Sequence, residues 1–508
     1  MPVTAATQPA FPTLAAIRGL MALVIALLCP VAWAATDVSD SDIVTSVEQE
    51  LMFDQAIPEQ NIDVNSKDGI VILKGRVNNL LARERATRLA ETVKGVRAVT
   101  NRIDVVPLRD YAPRVLHDAI ADALFADAAT ESYEVRINVG DEGHVTLDGR
   151  VESWQERQLA GKVAKGVAGV TSLENNIAVS YEEPRADAEM EREIEEALRW
   201  NVLVDSAMID VQVDQGKVTL SGTVGSAAEK HQASLTAWVN GVTQVNSKPL
   251  EVAKWARDPE LRKAKYSDKS DPKVKQAIRA ALRTDPRVAG QAVDVDVSEG
   301  FVTLQGKVDN IKAKQVAERD ARNTVGVVGV TNLIKVRTEQ PRSDDVIAAR
   351  VRSALDANAH TEANEITVRV VDGSVYLDGE VDTVFEKATA EDLASRVAGV
   401  VHVRNAIAVQ APRAVSYDPY VDDMEIRDYP WYAVDRIFPK KRDHEIRKHV
   451  KDELFWSPFI DSDQVEVDVD AGVVTLQGEV DSWREYDVAT ENALEGGAVT
   501  VNNQLTVD

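Results

Sequence analysis

One nine-residue pattern, Gly-x-Val-x-Leu-x-Gly-x-Val, governs what this chain can fold into, because it recurs six times with small variation. The copies run Gly69 to Val77, Gly143 to Val151, Gly216 to Val224, Gly300 to Val308, Gly373 to Val381 and Gly472 to Val480. Their first glycines are 74, 73, 84, 73 and 99 residues apart. The basic unit is therefore about 73 residues, with two longer connections. Self-similarity at a fixed period marks repeated supersecondary units, so the chain is a string of small modules rather than one deep body.

Each copy has the same surroundings. Upstream lies an apolar triplet at i, i+4, i+8: Ile43/Val47/Leu51, Leu116/Ile120/Leu124, Met190/Ile194/Leu198, Val274/Ile278/Leu282, Ile347/Val351/Leu355 and Ile446/Val450/Leu454. That spacing puts one stripe of a helix toward a core. Period-2 alternation follows, as in Val293/Val295/Val297 and Val465/Val467/Val469, which predicts a strand. Asp68-Gly69 and Asp372-Gly373 are hairpin turn signals joining it to the Val-x-Leu strand. The second signature glycine predicts a bulge or the close approach of a packed helix. A polar, Ala-rich helical stretch comes next, closed by Gly95, Gly169, Gly241, Gly326, Gly399 or Gly497 as a C-cap. Six residues on, Asn101, Asn175, Asn332, Asn405 or Asn503 leads a last short strand. The third copy has Ser247 and Pro249 there, which predicts an irregular edge.

The unit reads helix, strand, strand, helix, strand. With two helices on one face of a three-stranded sheet, the fold class is α+β, a tandem repeat of six small two-layer sandwiches. Aromatics make up 5% of the chain against 44% hydrophobic residues, so the cores are built of Val, Ile, Leu and Ala. Units of this size are marginal alone, which favours contacts between neighbours, in a rod or a compact string.

The combination of helix, glycine-bracketed strand and Gly-Val-x-x-Val-x-Asn ending resembles the BON domain, described in bacterial osmotically induced and nodulation proteins. The resemblance covers residues 40–107, 112–181, 186–253, 270–338, 343–411 and 444–508. It implies an envelope protein that is not an enzyme, with phospholipid or envelope proteins as partners.

The N-terminus carries Arg18, an apolar run from Gly19 to Cys29, and Ala32-Trp33-Ala34, a small-x-small cleavage site. Residues 1–34 are expected to be a signal peptide removed after Ala34, leaving an exported, periplasmic chain without cysteine. Net charge then moves from -25 to 57 minus 83, or -26. Such a chain does not neutralise phosphates over a broad surface, which excludes nucleic acid as a partner and bulk attraction to an anionic membrane.

Catalytic chemistry finds no support. The seven histidines fall at unrelated repeat positions, and His444 and His449 are five apart rather than at the i, i+4 spacing of a helical zinc pair. Acidic alternation such as Asp294/Asp296 and Glu466/Asp468/Asp470 reads as a solvated strand face rather than a calcium loop. Glu156, Glu229, Glu386 and Glu485 read as first-turn charges complementing a helix dipole. No cofactor is expected.

The connections carry the candidate site. Residues 254–269, a basic linker, have a local charge of +3 and include Trp255, Arg262 and Lys263. Residues 412–443 hold six of the chain's 26 aromatics, among them Trp431, Tyr432 and Phe438, and run into Lys440, Lys441 and Arg442. Rings beside cations suit a headgroup interface, the rings at the boundary and the cations on anionic phosphates. The competing reading is that these rings pack the insert against the fifth and sixth units. Trp154, Phe385 and Trp483, opening second helices, read as core edge or contacts between units rather than as a ligand platform. The functional expectation is a non-enzymatic envelope protein of osmotic or envelope stress protection that binds anionic phospholipid or an envelope partner. The alternative is a multivalent protein scaffold with possible self-association.

Overall fold

The computed structural model describes residues 38–57, 61–181, 185–257, 269–338, 341–362, 365–410, 420–421, 442–457, 460, 462–480 and 483–507. Six times the chain forms a helix, a hairpin, a second helix and a closing strand. In module 1 these are Asp40–Phe53, Asn61–Lys67 with Ile70–Val77, Leu80–Thr92 and Ala98–Val105. The hairpin is antiparallel, and the closing strand lies parallel to the signature strand, which is central in every sheet. The crossing second helix is what a parallel connection requires.

All six apolar triplets are buried, together with the signature Val and Leu of each central strand. Three such side chains contribute roughly 5–9 kcal/mol of transfer free energy per module, at about 1.5–3 kcal/mol each. Three devices recur around this core. At the hairpin, Asp68 and Gly69 both have positive φ (53° and 73°), the type I′ geometry that matches strand twist. The first-helix residue Asp40 accepts both turn N–H groups, at 2.8 and 3.0 Å. Asp187, Asp271, Asp344 and Asp443 do the same in modules 3 to 6. Module 2 has Arg114 at that place, and its turn is a longer 3-10 segment, Asp141–Gly143.

The recurring asparagine is a clamp between closing strand and second helix. Asn175 Nδ2 donates to the Arg157 carbonyl at 2.8 Å while its Oδ1 accepts the Ile177 N–H. Asn101, Asn332, Asn405 and Asn503 repeat the arrangement. Module 3, which lacks it, has its closing strand in two pieces, Gln244–Asn246 and Leu250–Val252, as modules 4 and 5 also do with the asparagine in place, but in module 3 alone of these three the register changes. Thr219 pairs with Asn246, 27 residues on, but Gly222 pairs with Leu250, 28 on, so the edge takes up one extra residue there.

The second signature glycine departs from expectation. Strand pairing runs through it without an extra residue, so there is no bulge. A Cβ on Gly306 would lie 1.9 Å from the Ala292 carbonyl oxygen, and one on Gly149 would lie 2.3 Å from that of Glu134. The close neighbour is the backbone of the adjacent first strand, not a helix.

The modules do not form a rod in chain order. Module 2 joins module 5 through two isolated bridges, Asp127 with Val397 and Val167 with Asn358, and module 3 joins module 4 through Asn201 and Thr324. Module 1 reaches module 5, where Gln55 Oε1 accepts the first-turn N–H of Val384 at 3.1 Å, and module 6, where Lys94 Nζ donates to the Phe455 carbonyl at 2.8 Å. Outer faces of helices from modules 1 to 5, together with Tyr420 and Val421, line an open cavity of about 1570 Å³.

Candidate functional site

Of the residues proposed for a headgroup interface, two lie in described segments. Trp255 sits on a short 3-10 turn, Lys254–Arg257, directly after the closing strand of module 3. Its neighbour Ala256 is buried, which anchors the turn, and Trp255 itself is 63% exposed. Arg442 stands at the start of the first helix of module 6. Its N–H and guanidinium donate to the two oxygens of Glu445, at 2.9 and 3.1 Å, and its side chain stays exposed. Both are therefore accessible single positions on different modules. Arg262, Lys263, Trp431, Tyr432, Phe438, Lys440 and Lys441 lie outside the described residues, as does the segment 1–34.

From the aromatic insert, Tyr420 is described. It packs against the module 6 core, and its hydroxyl donates to the Leu203 carbonyl of module 3. This ring packs modules together rather than facing solvent. Two of the second-helix aromatics, Trp154 and Phe385, behave likewise. Trp154 stacks on Trp238 of module 3, with centroids 4.8 Å apart and planes 5° from parallel, and Gln155 Nε2 donates to the Trp238 carbonyl. Phe385 takes the Arg85 guanidinium of module 1 over its face at 5.2 Å and the edge of His360 at 5.0 Å. Trp483 packs on Tyr486 of its own helix.

The twelve signature glycines are structural. Gly69, Gly143, Gly216, Gly300, Gly373 and Gly472 hold the hairpin turns, each with φ between 72° and 82°. Gly75, Gly149, Gly222, Gly306, Gly379 and Gly478 sit in the central strands with φ between 107° and 149°, where a side chain is strained.

The titratable groups serve packing. Burial, with Arg88 nearby, pushes His231 down to about 3, and burial beside Arg85 pushes His360 down to about 4, so both are neutral at physiological pH. Glu156 and Glu386 close capping boxes with Ser153 and Thr383, and buried Glu229 accepts the N–H groups of Asp205 and Gly225. On the acidic strand faces, Asp296 pairs with Lys275 at 3.1 Å and Asp468 with Arg447 at 2.6 Å. Among the described residues no group of three or more His, Cys, Asp or Glu is placed to hold a metal, and no helix is long and apolar enough to cross a membrane.

What sequence reasoning missed is the chemistry between modules. Arg287 of module 4 forms a bidentate pair with Asp127 of module 2, at 3.0 and 2.9 Å, with side chains 8% and 5% exposed. Lys312 of module 4 pairs with Asp392 of module 5, both buried. These residues occur once each, so a repeat pattern carries no signal of them. The recurring Asp 29 residues before each first glycine did carry one, in five copies.

Comparison with known proteins agrees with this geometry. The BON domain family model matches residues 39–107, 115–181, 186–254, 270–338, 343–411 and 442–508. A stretch of 114 residues is 38% identical to osmotically-inducible protein Y of Escherichia coli, covering 21% of this chain and 57% of that protein. Another of 153 residues is 27% identical to the outer membrane lipoprotein DolP of Haemophilus influenzae, covering 24% of this chain and 79% of that one. The chain thus spans little more than half the length of the first of these relatives. Among solved structures, CdsD, a structural protein of the type III secretion system of Chlamydia trachomatis, is 12% identical with a TM-score of 0.12, covering 45% of this chain and 99% of that chain. A likeness of that size carries no inference.

Proposed function

Because the chain belongs to the BON domain family, we propose that it is a non-enzymatic envelope protein acting in osmotic or envelope-stress protection, which docks on anionic phospholipid through its basic, aromatic connections. The observation that carries this reading is the sixfold family match, joined to relatives whose names place one under osmotic induction and another in the outer membrane. The chain's charge of -25 opposes adsorption of the body, so contact is assigned to the two local basic segments. Trp255 and Arg442, both exposed, are the described ends of those segments.

Vesicle sedimentation tests it. At low salt the mature chain should pellet with phosphatidylglycerol vesicles and stay in solution with phosphatidylcholine. Replacing Lys440, Lys441 and Arg442 by Gln removes three cations at about 1 kcal/mol each near an anionic surface, a loss of about 100-fold. Failure of the parent chain to pellet with either lipid ends the phospholipid reading.

A further inference from the structure

The membrane reading leaves unused the cavity lined by modules 1 to 5. At about 1570 Å³ it exceeds the roughly 300–1,000 Å³ of ordinary small-molecule sites. Its wall reverses the sign of the molecule. Twelve Lys and Arg line it against eight Asp and Glu, an excess of four positive charges in a chain of net -25. One of the eight, Asp320, is pushed up to about 8 by burial and the nearby Asp285 carboxylate, which raises the excess further at neutral pH.

Several of these cations have no protein counterion. Arg185, Arg287, Arg319 and Arg396 are paired with carboxylates, but among the described residues Arg88, Arg192, Arg199 and Arg283 have none within 4.0 Å. Arg192, Arg199 and Arg283 are exposed, so the cavity opens to solvent beside them. Arg88 is largely buried, and desolvation holds its pKa below the ordinary arginine value. A cleft lined by one sign of charge concentrates anions, and the guanidinium fork suits carboxylate and phosphate oxygens.

The rest of the wall mixes amides and hydroxyls, among them Gln155, Gln158, Gln232 and Gln276, with an apolar patch. Trp154 and Trp238 present their stacked pair to the space, joined by Leu81, Leu159, Leu235 and Leu393. A second observation points to a polar ligand group at one corner. Asp320 Oδ2 and Asn323 Oδ1 are buried wall atoms with no hydrogen-bond partner. They stand by the junction where Asn201 bridges Thr324, two residues from Arg199 along the chain. A small polyanion leaves the leucines and tryptophans wet, and a plain hydrocarbon leaves the arginines unanswered.

We propose that this cavity is a binding chamber for a single-chain anionic amphiphile, its acyl chain along the Leu and Trp wall and its phosphate or carboxylate headgroup on Arg88, Arg192, Arg199 and Arg283. The site is separate from the basic connections, so it does not depend on adsorption to a bilayer.

Delipidated mature chain is mixed with lysophosphatidylglycerol, palmitate or lysophosphatidylcholine, each below its micellar concentration, and bound ligand is counted by native mass spectrometry. One anionic amphiphile per chain, saturable, is expected, with at least tenfold weaker uptake of the zwitterionic lipid. The lysophosphatidylglycerol and palmitate arms separate a phosphate from a carboxylate headgroup. Reversing the exposed lip with Arg192→Glu, Arg199→Glu and Arg283→Glu should weaken anionic binding at least tenfold. Reversing Lys74, Lys217 and Lys335, exposed on sheets away from the cavity, makes the same charge change and should leave binding within twofold. Absence of uptake, six ligands per chain, equal affinity for the zwitterionic lipid, or equal loss in both charge-reversed chains overturns the proposal. Each of these results is independent of vesicle pelleting, so failure here and failure of the membrane reading are told apart.

Discussion

Modules 2 and 5 meet differently from modules 3 and 4, although all four carry the same fold. In the first pair the ends of first and second helices are exchanged both ways. The Ala128 N–H donates to the Arg396 carbonyl at 3.0 Å, the Ala168 N–H to Ala357 at 2.8 Å and the Ala359 N–H to Gly166 at 2.9 Å. Side chains follow the same exchange: Glu131 takes Arg342 and Arg350, while Glu362, four residues past the corresponding bridge, takes Arg109 and Tyr111. In the second pair one such junction forms among the described residues, with Val202 N–H on Asn323 and Val325 N–H on Trp200, at 3.1 and 2.9 Å. The first-helix end of module 4 is left to Arg319, which pairs with Asp285 at 2.9 Å, and Arg287 nearby turns outward to Asp127 of module 2. Helix ends carry backbone groups that the helix itself does not satisfy, and here a neighbouring module supplies partners. A module with both junctions filled makes a closed pair; one with a junction open uses side chains to join pairs to each other.

The largest effect is expected where the two pairs join. Arg287→Met leaves the Asp127 carboxylate buried without its partner, a loss of about 3–5 kcal/mol. Because a six-module chain need not unfold in two states, hydrogen exchange resolved by segment is the measurement, with urea unfolding beside it. Protection should fall around residues 127 and 287 in both pairs; an unchanged exchange pattern would refute the joint.

Next comes the closed pair itself. Arg350 is 9% exposed, donates to Glu131 at 3.0 Å and lies 4.1 Å from the Phe125 ring centroid. Arg350→Met should cost about 1.5–3 kcal/mol, the range for hydrogen bonds to charged groups. Reciprocity makes the test sharp: exchange should rise at both Ala128 and Ala359 and stay fixed at Val202 and Val325. A rise at one junction alone would show that the two are not coupled.

The pairs should also part with pH. His360, in module 5, is pushed down to about 4, so its contribution is complete above the ordinary value of 6.5 and is lost as pH falls toward 4. Asp320, in module 4, is pushed up to about 8, so folding retains a proton that the unfolded chain releases near 3.8. Its side of the molecule weakens as pH rises from 4 to 8. Segment-resolved exchange at pH 5 and pH 8 should loosen module 5 at the lower value and module 4 at the higher. His360→Asn and Asp320→Asn should each flatten one limb, and identical profiles in both modules would break the distinction.

These junctions explain what the sequence could and could not tell. Much of what repeats was legible: the triplets Ile43/Val47/Leu51 and their counterparts are buried, the Asp68-Gly69 turn has the geometry its residues require, and the missing asparagine of module 3 coincides with a shift of register along its closing strand. A core satisfied within 70 residues imposes its pattern six times. Arg287, Lys312, Trp238 and Glu131 each answer a neighbour that occurs once, so alignment of the copies averages them away. The cavity was hidden for the same reason, since its wall is the polar outer face of helices, read singly as solvent-facing. The second glycine was misjudged because the crowding atom is a carbonyl on the adjoining strand, which residue spacing does not reveal.

The smallest expected effect lies at the single junction of modules 3 and 4. Asn201 Oδ1 accepts the Leu203 N–H at 2.9 Å, and Nδ2 donates to Thr236 Oγ1 at 3.1 Å. Asp127 and Asn358 make the same turn in the closed pair, to Ala129 and His360. Asn201→Ala removes the turn bond and should cost about 0.5–1.5 kcal/mol. Its reach, however, should exceed its size, because Leu203 two residues on is seated in the module 6 core. Exchange is expected to quicken at Val202 and Val325 and in the module 6 first helix, with modules 2 and 5 unaffected. Asn201→Asp keeps the accepting oxygen and should recover most of the loss. If the alanine variant instead loosened modules 2 and 5 as much as module 6, the open junction would be transmitting strain to the closed pair, and the division between them would not hold.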